Sequence, residues 1–273
     1  MSEDLTSTLG VGRRALLTLG TAVLVGGCAQ GSQQAVTTPS GTTPSPTGSG
    51  TGPAPAPTAT GTATRTVCPT APDVIPKPGT LQYLPCNGKD VALTIDDGPH
   101  PTWTPQVLAV LAKLDIRATF CMIGENAARH PDLVRQVAAA GHQIADHTYT
   151  HPMNLATMTR AQVDDQIHRT AELLTRAGGG NAPALFRAPG GSWSATILAS
   201  CADAGLRPLD WSVDTRDWSL PGVSRIVDVL LTRTNPGSII LDHDGGGNRQ
   251  QTVTALSTAL PQLIDRGYRF VLP

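Results

Sequence analysis

The chain has 273 residues, enough for one large domain or two small ones, and 40% of them are hydrophobic, as in ordinary globular proteins. Its formal net charge of −1 creates no field that would draw nucleic acid, so no nucleic-acid partner is expected.

The N-terminal stretch "GRRALLTLGTAVLVGGCAQ" carries Arg13 and Arg14, a short apolar run, then small residues before Cys28. The run is too short to span a bilayer and reads as a signal peptide over residues 1–27. Val25-Gly26-Gly27-Cys28 looks like a bacterial lipobox, with cleavage before Cys28 and lipidation of its thiol. The alternative is a secretory peptide with an incidental cysteine. The arginine pair resembles a twin-arginine signal, although a Sec signal also starts basic. Residues 28–67 continue as Thr, Pro, Ser, Gly and Ala, which cannot bury enough surface to offset their ordering entropy and so form an extended linker. The expectation is an exported lipoprotein on the outer face of the bacterial cell membrane, touching that membrane only through its lipid. The sequence leaves protein partners unidentified. Residues 68–87 form a Pro-rich lead-in in which Cys68 and Cys86 could pair in an oxidising compartment.

From residue 88 onward short apolar runs alternate with helical patterns. Strands are expected at "VALTI", "ATFCMI", "HQIADH", "ALFRAP", "LRPLDWSV", "SIILDH" and "YRFVL". A helix near 125–140 ends at Gly141, and another over 194–204 ends at Gly205. Between them, Thr159 and Gln162 make a capping box, Val163, Ile167, Ala171 and Leu174 repeat on one face, and Gly178 closes the segment. Cys121 and Cys201 fall inside apolar patterns and read as buried thiols. The alternation argues for a parallel sheet, open or closed into a barrel.

In such folds chemistry gathers where strands end. The first strand ends in Asp96 and Asp97, two adjacent like charges that repel unless a cation sits between them or one holds a proton. "DHTYTH" follows the third with His147 and His151, "FRAPGG" the fourth with Arg187, "DTRDW" the fifth with Asp214, Asp217 and Trp218, and "LDHD" the sixth with His243. Each alone has a bland reading, such as a polar turn, a solvated histidine or a surface ion pair. Five polar clusters at five consecutive strand ends are hard to reconcile with coincidence. Two histidines and a carboxylate suit a divalent metal with positions left open for water and substrate.

The ordered motifs "TIDDGP", "HTYTH", "RAPGG", "DTRDW" and "LDH" resemble the NodB-type polysaccharide deacetylases, carbohydrate esterase family 4, over about residues 88–273. The resemblance implies a distorted (β/α) barrel and a hydrolase that removes N-acetyl groups from an N-acetylated polysaccharide. By it, Asp97, His147 and His151 would bind the metal, zinc first and cobalt or nickel as alternatives. Asp96 would be the general base held by Arg187, and His243 the general acid tuned by Asp217. Gly190 would supply a backbone N–H for the oxyanion, while Trp218 and Leu241 would wall the acetyl pocket. Three positions depart from the family pattern: Ile95 and Cys121 replace aromatics, and Gly190 replaces a tyrosine. None of these removes a reacting group. The expected substrate is a resident cell-wall glycan, peptidoglycan first and chitooligosaccharide next. The alternatives are an O-acetyl esterase acting on a xylan-like polymer and a catalytically silent glycan-binding module.

Overall fold

The structure, a computed structural model, describes residues 74–273. The signal segment, Cys28, the linker to residue 67 and Cys68 lie outside the described residues. Cys86 is disulfide-bonded, whereas Cys121 and Cys201 are free and buried. Among the described residues no helix is long and apolar enough to cross a membrane.

The elements are β1 (Asp90–Asp96), α1 (Thr104–Lys113), β2 (Thr119–Met122), α2 (Gly124–Arg129), α3 (Pro131–Ala139), β3 (Gln143–Asp146), α4 (Arg160–Ala177), β4 (Leu185–Phe186), α5 (Ala195–Asp203), β5 (Arg207–Pro208), β6 (Val213–Asp214), α6 (Val223–Arg233), β7 (Ile239–His243), α7 (Gln250–Asp265) and β8 (Arg269–Phe270). The strands run parallel along the path β5-β4-β3-β2-β1-β7-β6, with β8 paired to the start of β1. This is a curled half-barrel wrapped in helices, the distorted (β/α) barrel that the resemblance implies.

β1 sits mid-path and all seven of its residues are buried, as a strand covered on both faces requires. Its alternation divides the two sides of the sheet. Leu93 and Ile95 pack with Val107, Leu111, Ile226 and Leu260 under the helices, while Ala92 joins Cys121, Ala145 and Leu209 on the other side. Thr94 and Asp96 share the parity of Ala92, which carries the strand's last polar group into the barrel interior.

Two expected elements divide. The helix near 125–140 breaks into α2 and α3 at His130, because Pro131 has no N–H to continue the ladder and instead opens α3 in its first turn. The single strand expected over "LRPLDWSV" becomes β5 and β6, which lie at opposite ends of the sheet path. Between them the chain pairs with the lead-in: Leu81 donates its N–H to Pro208 O and accepts from Asp210 N, at 2.8 and 2.9 Å. The segment that could have been one strand thus crosses from one sheet edge to the other.

α4 starts at the expected capping box, with both reciprocal bonds of Thr159 and Gln162 in place, and stops at Gly178. Val163, Ile167 and Leu174 are buried, but Thr170 rather than Ala171 completes the inward face.

Candidate active site

Every polar cluster expected at a strand end meets at one mouth of the half-barrel. Asp96, Asp97, His147, His151, Gly190, Trp218, Leu241 and His243 line a single cavity of about 350 Å³. Arg187 and Asp217 stand directly behind it, fully buried.

The histidines ride on the loop after β3. His147 and His151 bring their rings to 4.9 Å between centroids because the loop turns back on itself. Thr148 and His151 both take positive φ, 64° and 56°. Strained conformations of this kind persist only where surroundings over-determine them. Here Asp146 Oδ1 accepts the Thr148 N–H at 2.8 Å, Thr148 Oγ1 accepts that of His151 at 3.1 Å, and Gln166 Oε1 on α4 accepts those of Tyr149 and Thr150. Asp97 is also left-handed, with φ 72°. Asn126 Nδ2 donates to its carbonyl at 2.9 Å, and Gly245 passes so close that a Cβ there would lie 2.0 Å from Asp97 O.

The lone pairs converge. His147 Nδ1 lies 2.8 Å from Arg187 O; a carbonyl only accepts, so Nδ1 carries the proton and Nε2 is bare. That Nε2 faces Asp97 Oδ1 at 3.5 Å, and His151 Nε2 faces the same oxygen at 3.3 Å. Asp97 Oδ1 is buried without a hydrogen-bond partner. Two donors held about 2.0–2.1 Å from one tetrahedral ion stand about 3.3–3.4 Å apart, so these separations are those of ligands sharing a cation. The three donor atoms all lie within 4.8 Å of one another, and the set fits a small divalent metal. Burial pushes the Asp97 carboxyl up, but the imidazoles around it, His147 foremost, hold it well below the ordinary range when they carry charge.

Beside the triad lies a charge pair. Arg187 Nη1 donates to Asp96 Oδ1 at 2.7 Å and to Thr94 Oγ1 at 2.8 Å, while its Nη2 donates to Asp210 O at 3.0 Å. One carboxylate oxygen is therefore pinned, and the other, Oδ2, faces His147 Nε2 at 3.6 Å. On the opposite wall His243 Nδ1 meets Asp217 Oδ1 at 2.7 Å, and Asp217 Oδ2 accepts from His243 N and Thr252 Oγ1. Burial would lower the His243 pKa, but the hydrogen bond and charge of Asp217, followed by Asp96 and Asp97, raise it from 6.5 to about 9. An imidazole biased toward its protonated form thus sits across the cavity from a pinned carboxylate.

Trp218 is 47% exposed at the rim, Leu241 is buried beneath it, and Gly190 takes φ 60°. A Cβ on Gly190 would stand 2.8 Å from Met153 Cε, so Met153 covers ground that a side chain there would occupy.

Several participants were not read from the sequence. Thr94 had a signal, since it lies two residues before Asp96 on the same strand face. Trp211, Met153 and Arg249 line the cavity from loops, where no periodicity marks them. Arg249 is nearly buried; its Nε and Nη2 donate to Gly245 O and Gly246 O at 2.6 and 3.0 Å and hold the loop that backs Asp97.

Comparison with known proteins bears on the same residues. The sequence model of the polysaccharide deacetylase family matches residues 85–209. The chain is 43% identical over 201 residues to a chitooligosaccharide deacetylase of Sinorhizobium fredii, covering 69% of this chain and 93% of that one. It is 40% identical over 190 residues to a peptidoglycan-N-acetylglucosamine deacetylase of Bacillus cereus, covering 69% and 88%. A crystal structure of a peptidoglycan N-acetylglucosamine deacetylase, in complex with a naphthyl-substituted N-hydroxybenzamide, superposes with TM-score 0.68 at 39% identity, covering 71% of this chain and 90% of that one. With the five ordered motifs assembled around one cavity and relatives of this identity matched nearly end to end, the chain belongs to the NodB-type polysaccharide deacetylases, carbohydrate esterase family 4.

Proposed function

We propose that the protein is a metal-dependent N-deacetylase of a cell-wall polysaccharide, peptidoglycan before chitooligosaccharide, that releases acetate from N-acetylated amino sugars. The observation that carries this reading is the convergence of two imidazole nitrogens on one unpartnered buried carboxylate oxygen, with a pinned carboxylate on one side and an imidazole paired with Asp217 on the other.

Asp97, His147 and His151 would hold the ion. When bound, it would supply Lewis acidity that makes water a nucleophile near neutral pH and polarises a carbonyl. The related deacetylase crystallised with an N-hydroxybenzamide, a hydroxamic acid and hence a metal chelator, supports this assignment.

The remaining steps fall to the chain's own groups. Asp96 has one oxygen engaged by Arg187, so its free Oδ2 is the base that takes the proton of the attacking water. Arg187, itself buried, keeps that carboxylate in place through a charge-assisted bond. His243, whose charged form Asp217 favours, gives its Nε2 proton to the departing amine, which would otherwise be too poor a leaving group. Asp217 fixes the tautomer and stabilises the imidazolium, and Trp218, Leu241 and Gly190 wall the space for the acetyl group.

The proposed setting follows from the N-terminus: export, lipidation at Cys28, and a linker to residue 67 that lets the domain reach a resident glycan from the outer face of the membrane. The test is acetate release by the full-length protein, metal-loaded and chelated, on peptidoglycan, chitooligosaccharides and acetylxylan side by side. Metal-dependent release from the first or second supports the reading. Activity on acetylxylan alone would assign an O-acetyl esterase, and release that survives chelation would remove the metal.

A further inference from the structure

A second hollow, about 670 Å³, adjoins the site cavity, and Asp214 lines both. Its walls come from the turn after β6 and from one face of α6, where Arg225, Val229 and Arg233 recur every fourth residue. With Arg216 they bring three guanidinium groups to one concave surface, in a chain whose net charge is −1. The nearby acids are Asp214 and Asp228, the latter paired with Arg225 at 2.9 Å.

Arg216 differs from the helical surface arginines that are tied to a neighbouring acid. Arg129, Arg169 and Arg176 each pair with an acid one helical turn away. Among the described residues no ion pair engages Arg216, whose guanidinium lies 5.1 Å from the centroid of the exposed Trp218 ring. Its backbone is left-handed, with φ 54°, and Asp214 Oδ1 accepts its N–H at 2.8 Å. Arg216, in a strained backbone conformation, thus lines the second hollow with its guanidinium beside the Trp218 ring, which lines the site cavity. Guanidinium forks match carboxylates in shape as well as charge.

We propose that this hollow is a subsite for an acidic saccharide unit, in which Arg216 and Arg225 engage the carboxylate borne by a sugar adjacent to the one being deacetylated. The inference rests on the deacetylase reading and narrows it. The substrate is a glycan carrying carboxylates, such as the lactyl or peptide carboxylates of a muramic-acid polymer, in preference to an uncharged N-acetylglucosamine oligomer.

The test uses the full-length protein, wild type and Arg216→Gln/Arg225→Gln, with three tetrasaccharides: uncharged N-acetylglucosamine, alternating N-acetylglucosamine and N-acetylmuramic acid with free carboxylates, and the latter with its carboxylates amidated. Binding is followed by calorimetry at low and high salt, turnover by acetate release, and folding by circular dichroism. Wild type should bind the acid about tenfold more tightly than the amide at low salt, and less selectively as salt rises. In the double variant that ratio should fall below about twofold, while Arg216→Lys keeps part of it because the charge remains. A wild type that treats acid and amide alike, or a folded double variant that keeps the full ratio, overturns the subsite while deacetylation stands. A preference for the acid without acetate release from any of the three overturns the deacetylase reading while the subsite stands.

Discussion

Replacing Asp217 with asparagine isolates the acid half of the site. Folding carries His243 from 6.5 to about 9 although burial alone would push it below 6.5, so Asp217, with smaller contributions from Asp96 and Asp97, must supply more than the net rise. At about 1.4 kcal/mol per pH unit, that rise is worth about 3.5 kcal/mol in favour of the imidazolium. Asp217→Asn keeps the shape of the side chain and an oxygen for Nδ1–H but removes the charge. The alkaline limb of kcat/KM should therefore move down by about two pH units or more. In the metal-free site at pH 8 the protonated fraction would fall from about nine-tenths to about one-thirtieth. At pH 6 the loss should be only a few-fold. A cation on Asp97, His147 and His151 repels the imidazolium, so the loaded enzyme's limb lies below 9 in both proteins, and the direction of the change is preserved. The assay is acetate release from an N-acetylglucosamine oligosaccharide at subsaturating substrate and saturating metal between pH 5 and 10. An alkaline limb that stays in place or moves up would refute the assignment of His243 as the acid that Asp217 tunes. Because folding raises this pKa, the same pair's contribution to stability is complete below about pH 6.5 and is lost as pH climbs through about 9.

Asp96→Asn should keep the metal and lower kcat by about 100- to 10,000-fold, whereas Asp97→Asn should lose metal first; equal metal loss in both, measured by elemental analysis, would contradict the division of labour. His147→Ala or His151→Ala should abolish stoichiometric metal and activity together, since two ligands leave a weak and mobile site, and dialysis against a competing chelator measures it. Arg187→Met leaves Asp96 charged and unpaired in the interior and should cost about 3–5 kcal/mol in urea unfolding, besides turnover. Cys28→Ala should move the protein from the membrane to the soluble fraction with acetate release intact, and unchanged retention in fractionation would count against a lipid anchor.

The motifs could be placed in advance because parallel sheets deliver strand-end residues to one rim, so Asp96, His147, Arg187 and His243 needed only a correct reading of strands. α4 was legible to the residue because capping chemistry is local: Thr159 and Gln162 satisfy each other whatever the tertiary setting. The division of "LRPLDWSV" was not legible, because it depends on Leu81, more than a hundred residues away, bonding to Pro208 and Asp210. The break at His130 was open to reading from Pro131, but the apolar period runs through it and outweighed the proline. Arg249 was hidden for a different reason: its partners are backbone carbonyls of its own loop, which leave no pattern in side-chain types.

The crossing at residues 209–212 also sets the order in which the chain can assemble. β1 through β5 pair each with the next along the sequence, but β7 must insert beside β1 from nearly 150 residues downstream, with Ala92 opposite Ile239. Until it does, β1 is an unpaired edge, and Leu209–Ser212 has nothing to span. Loop-closure entropy must be met before those distant pairings repay it, which makes closure late and slow relative to the local ladder. The species that waits exposes strand edges able to template another chain. Refolding at high concentration should therefore lose material to aggregation before β7 docks, and native yield should rise on dilution.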